Sequence, residues 1–187
     1  MLEPLRLNRR AASSLLAATP FASAALAGDA PQYVAHYIPN ARTAGEGRLT
    51  WFGLLIYTAR LHVAADGIDL ANLDSQRFAL ELTYARRLDG KAIAERNHDE
   101  MALLHRGTDE QRGDWLRQMT RIFPGVAAGQ TLIGVHLDSG ATRFYCDGTF
   151  IGSVDDPAFS SAFFAIWLDP QTRAPKLRTA LLQRAAR

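Results

Sequence analysis

The chain has 187 residues, long enough to fold around a core of its own. An apolar content of 48% and a charged content of 21% exclude a wholly disordered chain. The formal charge of +2 is concentrated at the start: setting aside Arg6, Arg9, Arg10 and Glu3 takes Lys+Arg from 21 to 18 and Asp+Glu from 19 to 18. The remainder is neutral and gives no global electrostatic case for nucleic acid or an acidic membrane.

Residues 1–10 are basic, and residues 11–27 are small, apolar and uncharged, ending in Ala25-Leu26-Ala27. This order is that of a cleaved secretory signal. The expected organisation is therefore a signal peptide over 1–27 and one domain over 28–187, exported to a periplasm, with no stable membrane insertion after cleavage. Arg9-Arg10 opens the twin-arginine route beside ordinary secretion. An amphipathic first helix is excluded, because 11–27 has no polar face.

Residues 28–45 contain Pro31, Pro39, Gly28 and Gly45 and read as a loop or weak edge strand. Residues 48–64 are β-branched and aromatic: one long strand, or two broken near Gly53. Alternation places Phe52, Leu54 and Ile56 on one face, with Trp51, Leu55, Tyr57, Ala59 and Leu61 on the other. A strand follows over 77–85.

Asn97-His98-Asp99-Glu100 has the form of a capping box opening a helix, which could also begin near Lys91. Thr108-Asp109-Glu110-Gln111 repeats the signal, and Pro124-Gly125 stops that second helix. Short strands are expected over 131–137, 142–146 and 149–154, with Asp147-Gly148 as a tight hairpin turn. Asp156-Pro157 caps an apolar helix that ends at Asp169-Pro170, and a last helix spans 175–185. Blocks in this order define an α+β class: an antiparallel sheet packed by helices on one side.

Motifs for acyl transfer, phosphate binding, zinc hydrolysis and dithiol chemistry are missing from the sequence. His98 and His105 share a helix face without a third ligand, so no metal or cofactor is expected. Cys146, the one cysteine, reads as a packed thiol. Arg48 enters the apolar strand after Gly45-Glu46-Gly47, and Tyr57 lies nine residues on. Their odd separation puts them on opposite faces unless a bulge intervenes; read alone, they are a rim arginine and a core tyrosine.

Gly45-Glu46-Gly47-Arg48, Trp51-Phe52-Gly53 and Ile56-Tyr57-Thr58-Ala59 resemble the opening hairpin of the chalcone-isomerase-like family. Phe78–Leu82, Phe123-Pro124-Gly125-Val126, Phe144–Gly148 and Ile166-Trp167-Leu168-Asp169-Pro170 resemble its exported bacterial branch. The resemblance implies an open-faced β-sandwich and either of two activities: closure of chalcones to flavanones, or fatty-acid binding. It assigns Arg48 and Tyr57 to a ligand's carboxylate. The threonine of the isomerising members is replaced by Phe52, which counts against isomerisation. The leading expectation is a non-catalytic binder of a small apolar or amphipathic ligand such as a fatty acid, with Phe52, Leu54 and Phe163 lining its pocket. The alternatives are an intramolecular lyase or isomerase and a structural or partner-binding envelope protein.

Overall fold

A computed structural model describes residues 30–186. The expected signal peptide over 1–27 lies outside the described residues. Six antiparallel strands form one sheet in chain order, each bonded to the next: β1 (Arg42–Trp51), β2 (Leu54–Val63), β3 (Phe78–Tyr84), β4 (Thr131–His136), β5 (Thr142–Cys146) and β6 (Thr149–Val154). Two of the turns are two residues long. Phe52-Gly53 has φ of 46° and 77°, and Asp147-Gly148 has 46° and 81°. Positive φ at both positions matches the right-handed twist of the flanking strands. Asp and Gly accept that conformation readily; a phenylalanine is forced into it.

The helical layer is α2 (Gly90–Leu103), α3 (Asp109–Ile122), α4 (Pro157–Leu168) and α5 (Pro175–Leu181). Asp156 accepts from the Ala158 N–H at 2.8 Å and Pro157 opens α4. That helix is apolar nearly all round, so it is buried between the sheet and its neighbouring helices. Each of Phe159, Phe163 and Trp167 contributes roughly 1.5–3 kcal/mol by leaving water. α5 lies close on β1 because Gly45 and Gly47 have no side chain. A Cβ on Gly45 would stand 2.0 Å from the Ala180 carbonyl oxygen, and one on Gly47 would stand 2.6 Å from Leu177 Cδ1.

Strand phase sorts the rest. Ala59, Leu61 and Val63 of β2 and Phe78, Leu80, Leu82 and Tyr84 of β3 face the helical layer and share one core with α2–α5. On the opposite face, the 28–45 stretch, expected as a loop or weak edge strand, holds a short helix, α1 (Gln32–Tyr37), before the edge strand β1 begins at Arg42. Val34 of α1 and Ile38 beyond it pack on Ala79, Ile133, Val135 and Tyr145, a second, smaller core. The class is α+β as expected, with α2–α5 on one face and α1 covering part of the other.

For α2 the earlier of the two expected starts, near Lys91, is the one formed. The helix starts at Gly90, capped by Asp89, whose carboxylate accepts from the N–H groups of Lys91 and Ala92 at 2.9 and 3.3 Å. Asn97 is therefore mid-helix, not an N-cap. The Thr108 box is formed: its hydroxyl takes the Gln111 N–H, and the Gln111 side chain takes the Thr108 N–H.

Candidate functional site

Tyr57 sits on the helix-covered face of β2. Trp167 Nε1–H of α4 donates to its hydroxyl at 2.9 Å, and its ring meets Tyr84 edge-on at 5.8 Å. Burial pushes the Tyr57 hydroxyl up to about 12, with the Trp167 hydrogen bond pulling partly the other way. Burial raises Tyr84 as well, reinforced by Tyr57. Both phenols therefore stay protonated at neutral pH and act as hydrogen-bonding groups, not as bases.

Across from these rings lies Asn97. It is 8% exposed and occupies the buried stripe of α2 with Ile93, Ala94, Glu100 and Met101. Its amide has no hydrogen-bond partner among the described residues, and neither does the Tyr84 hydroxyl. Asn97, Tyr84 and Trp167 border a cavity of about 20 Å³ whose other walls include Leu82, Ile93, Phe123, Leu132 and Phe163. That space holds about one water molecule. Near the same end of β3, two residues past Tyr84, Arg86 buries its Nε without a partner among the described residues. A separate open trough beside Ile68, Leu70 and Ala186 lies past the far end of β2 and touches none of these groups.

The residues expected at the site are dispersed. Phe163 lines the cavity. Phe52 and Leu54 do not: they are 87% and 52% exposed at the tip of the β1–β2 hairpin. Arg48 is exposed and has no ion pair or hydrogen bond among the described residues. It pairs in register with Thr58, while its neighbour Leu49 pairs with Tyr57 and packs on the helical-side core. Arg48 and Tyr57 thus point to opposite faces of the sheet. The register shift that could have changed this falls between Leu49 and Thr50, on the tip side of Arg48. The structure thus gathers Tyr57, Tyr84, Asn97, Phe163 and Trp167 along one seam between sheet and helices and leaves Arg48, Phe52 and Leu54 outside it.

A second polar cluster lies on the other face. His62 Nε2 meets Glu81 at 2.8 Å, Thr43 Oγ1 meets His62 Nδ1 at 3.3 Å, and Arg60 joins Glu81 to Glu46 at 3.3 and 2.6 Å. Burial alone would raise the Glu81 carboxyl, but the His62 hydrogen bond and the Arg60 charge hold it below its ordinary value. The members satisfy one another and hold β1, β2 and β3 together. Cys146 is raised by burial, which disfavours a reactive thiolate. Among the described residues no group of three His, Cys, Asp or Glu side chains could hold a metal ion.

An antiparallel sheet covered on one face by a helical layer is a fold shared with known proteins. Residues 44–183 match the family model described as chalcone isomerase-like, and the chain belongs to that family. A solved fatty-acid binding protein from Arabidopsis thaliana is similar in fold, with a TM-score of 0.64 over 79% of this chain and 89% of that one, at 12% identity. No curated protein sequence matches the chain.

Proposed function

We propose that the protein is a non-catalytic binder of a small amphipathic molecule, such as a fatty acid, held in the seam between the sheet and α2 and α4. The polar end of the ligand lies at Tyr84, Asn97 and the Tyr57–Trp167 pair, and its chain runs among Leu82, Ile93, Phe123 and Phe163. The observation that carries this reading is Asn97, more than nine-tenths buried and without a hydrogen-bond partner among the described residues, bordering a mostly apolar cavity. A ligand headgroup that meets this amide gains a hydrogen bond worth about 0.5–1.5 kcal/mol. The fold shared with a fatty-acid binding protein supports the same class of ligand. The high phenol values favour binding over proton transfer, since neither tyrosine is poised to abstract a proton near neutral pH.

An acyl chain is far larger than one water, so its entry requires α2 to move away from the sheet. The small cavity also favours a second reading, a scaffold with a filled core. Titration of the delipidated protein with cis-parinaric acid separates the two. Saturable fluorescence enhancement, weakened roughly tenfold or more by Asn97→Leu, supports the binder; no enhancement supports the scaffold.

Export remains part of the proposal. The mature chain isolated from its host's envelope is expected to begin at Gly28, and a chain beginning at Met1 there would contradict it.

A further inference from the structure

The β1–β2 hairpin ends in an apolar tip that nothing in the described residues covers. Trp51 is 67%, Phe52 87% and Leu54 52% exposed, with the two aromatic rings 5.0 Å apart. Soluble surfaces seldom gather three large apolar side chains at one protruding turn. Phe52 also takes a left-handed φ of 46°, at a position where asparagine or glycine would fit without strain. Its side chain packs on no buried core, so folding does not explain its presence there.

Two exposed arginines, Arg48 and Arg87, and the half-buried Arg86 stand near the tip. Arg48 lies three residues before Trp51 in β1. Arg86 and Arg87 follow Ala85, whose N–H donates to the Ile56 carbonyl at 2.9 Å, two residues into β2 from Leu54. None of the three has an ion-pair partner among the described residues. The nearby carboxylates are engaged elsewhere: Asp89 caps α2, and Glu46 is held by Arg60.

We propose that this tip docks on the surface of an anionic phospholipid bilayer. Trp51, Phe52 and Leu54 enter the interfacial layer, and the exposed Arg48 and Arg87 meet the headgroup phosphates. The contact is peripheral and reversible; no described helix is long and apolar enough to cross a membrane. A lipid surface fits better than a protein partner on grounds of area. Two aromatic rings and a leucine offer roughly 500 Å², well short of the ~800 Å² per partner that a stable protein interface buries. A narrow convex tip is shaped to enter a fluid interface. Tryptophan and phenylalanine are the side chains that favour that depth, and arginines without partners complement anionic headgroups.

The test mixes the full chain with vesicles of phosphatidylcholine, or of phosphatidylcholine and phosphatidylglycerol in equal parts. Sedimentation and tryptophan emission are read together. Of the three tryptophans, Trp115 and Trp167 are 2% and 3% exposed, so an emission shift reports Trp51. The wild type is expected to sediment with anionic vesicles with a blue-shifted emission. Phe52→Ser with Leu54→Ser should weaken partitioning by roughly a hundredfold, with an unchanged thermal melt. Arg48→Gln with Arg87→Gln should weaken it by roughly thirtyfold and abolish the preference for anionic lipid. Asn97→Leu should bind vesicles like the wild type, so this proposal and the ligand seam fail independently. The inference is overturned if the wild type does not bind anionic vesicles, or if the tip variant binds equally well. Binding without a Trp51 shift, which assigns attachment to another segment, overturns it too. So does a tip-dependent dimer that ignores vesicles.

Discussion

Trp167 of α4 donates its indole N–H to the Tyr57 hydroxyl of β2 at 2.9 Å, a polar link across a largely apolar sheet–helix interface. Both partners are held by surrounding packing: Trp167 lies against Phe163 at 5.3 Å and Tyr57 against Tyr84 at 5.8 Å. Tyr57→Phe keeps the ring and removes the acceptor. The Trp167 N–H is then buried without a partner, and stability should fall by about 1–3 kcal/mol in urea unfolding. A loss below a few tenths of a kcal/mol would mean that the indole has another partner.

Asn97→Leu should act in the opposite direction on folding. The leucine keeps the same branched four-atom side-chain shape, joins an apolar wall and removes an amide that no described residue satisfies. Stability is expected to rise by about 1 kcal/mol while affinity for cis-parinaric acid falls. A gain in stability together with a loss of binding marks a group kept for function. Destabilisation would instead show that the amide serves the fold.

At Gly45 the backbone of α5 leaves no room for a methyl group, since the Cβ would stand 2.0 Å from the Ala180 oxygen and 2.5 Å from the Leu181 oxygen. Backbone atoms cannot swing aside as a flexible side-chain end can. Gly45→Ala should therefore cost about 3 kcal/mol or more, the upper end for overpacking, and detach α5 from β1. Amide hydrogen exchange should speed up in Pro175–Leu181 before the rest of the domain. Unchanged exchange there would contradict the close packing.

Phe52→Asn tests strain at the hairpin tip. The side chain is 87% exposed, so little packing is lost, while asparagine tolerates the φ of 46°. Stability should rise by about 1 kcal/mol, the difference between left-handed penalties, read from the thermal midpoint.

The Glu81 carboxyl provides the acid dependence. Its folded value lies below the ordinary 4.5, with burial opposed by the hydrogen bond from His62 and the charges of His62 and Arg60. A lowered carboxyl favours folding fully above its unfolded value and loses that advantage as pH falls through the folded one. Glu81→Gln should therefore be less stable than the wild type at pH 7, and the gap should narrow as pH drops below 4.5. A gap that stays constant into acid would show that Glu81 acts through packing alone.

Local chemistry made much of the fold legible. Asp147-Gly148, Thr108 with Gln111, and Asp156-Pro157 each carry their own turn or cap signal, and the structure forms all three. Where two local signals competed, the weaker-looking one prevailed. Asn97-x-x-Glu100 has the form of a cap, but the helix begins seven residues before Asn97, behind a glycine that lowers helix propensity. Reading the start at Asp89 would have placed Asn97 in the apolar stripe as a polar anomaly, the signal that marks the seam. α1 was hidden because six residues between Pro31 and Pro39 carry too little periodicity to distinguish a helix from a loop. The pairing of Arg48 with Tyr57 came from family resemblance and ran against strand phase, and phase decided the geometry. Tyr84 and Trp167 join the site through contacts between distant segments, which no short window of sequence contains.

The seam itself is tested most directly by photocrosslinking. The delipidated protein is loaded with a diazirine-bearing fatty acid, irradiated, digested and mapped by mass spectrometry. Adducts are expected on the peptides that carry Leu82, Ile93, Phe123 and Phe163, competed away by unlabelled fatty acid and reduced in Asn97→Leu. Adducts confined to residues 51–54, or none that unlabelled fatty acid removes, would contradict a ligand held between the sheet and its helices.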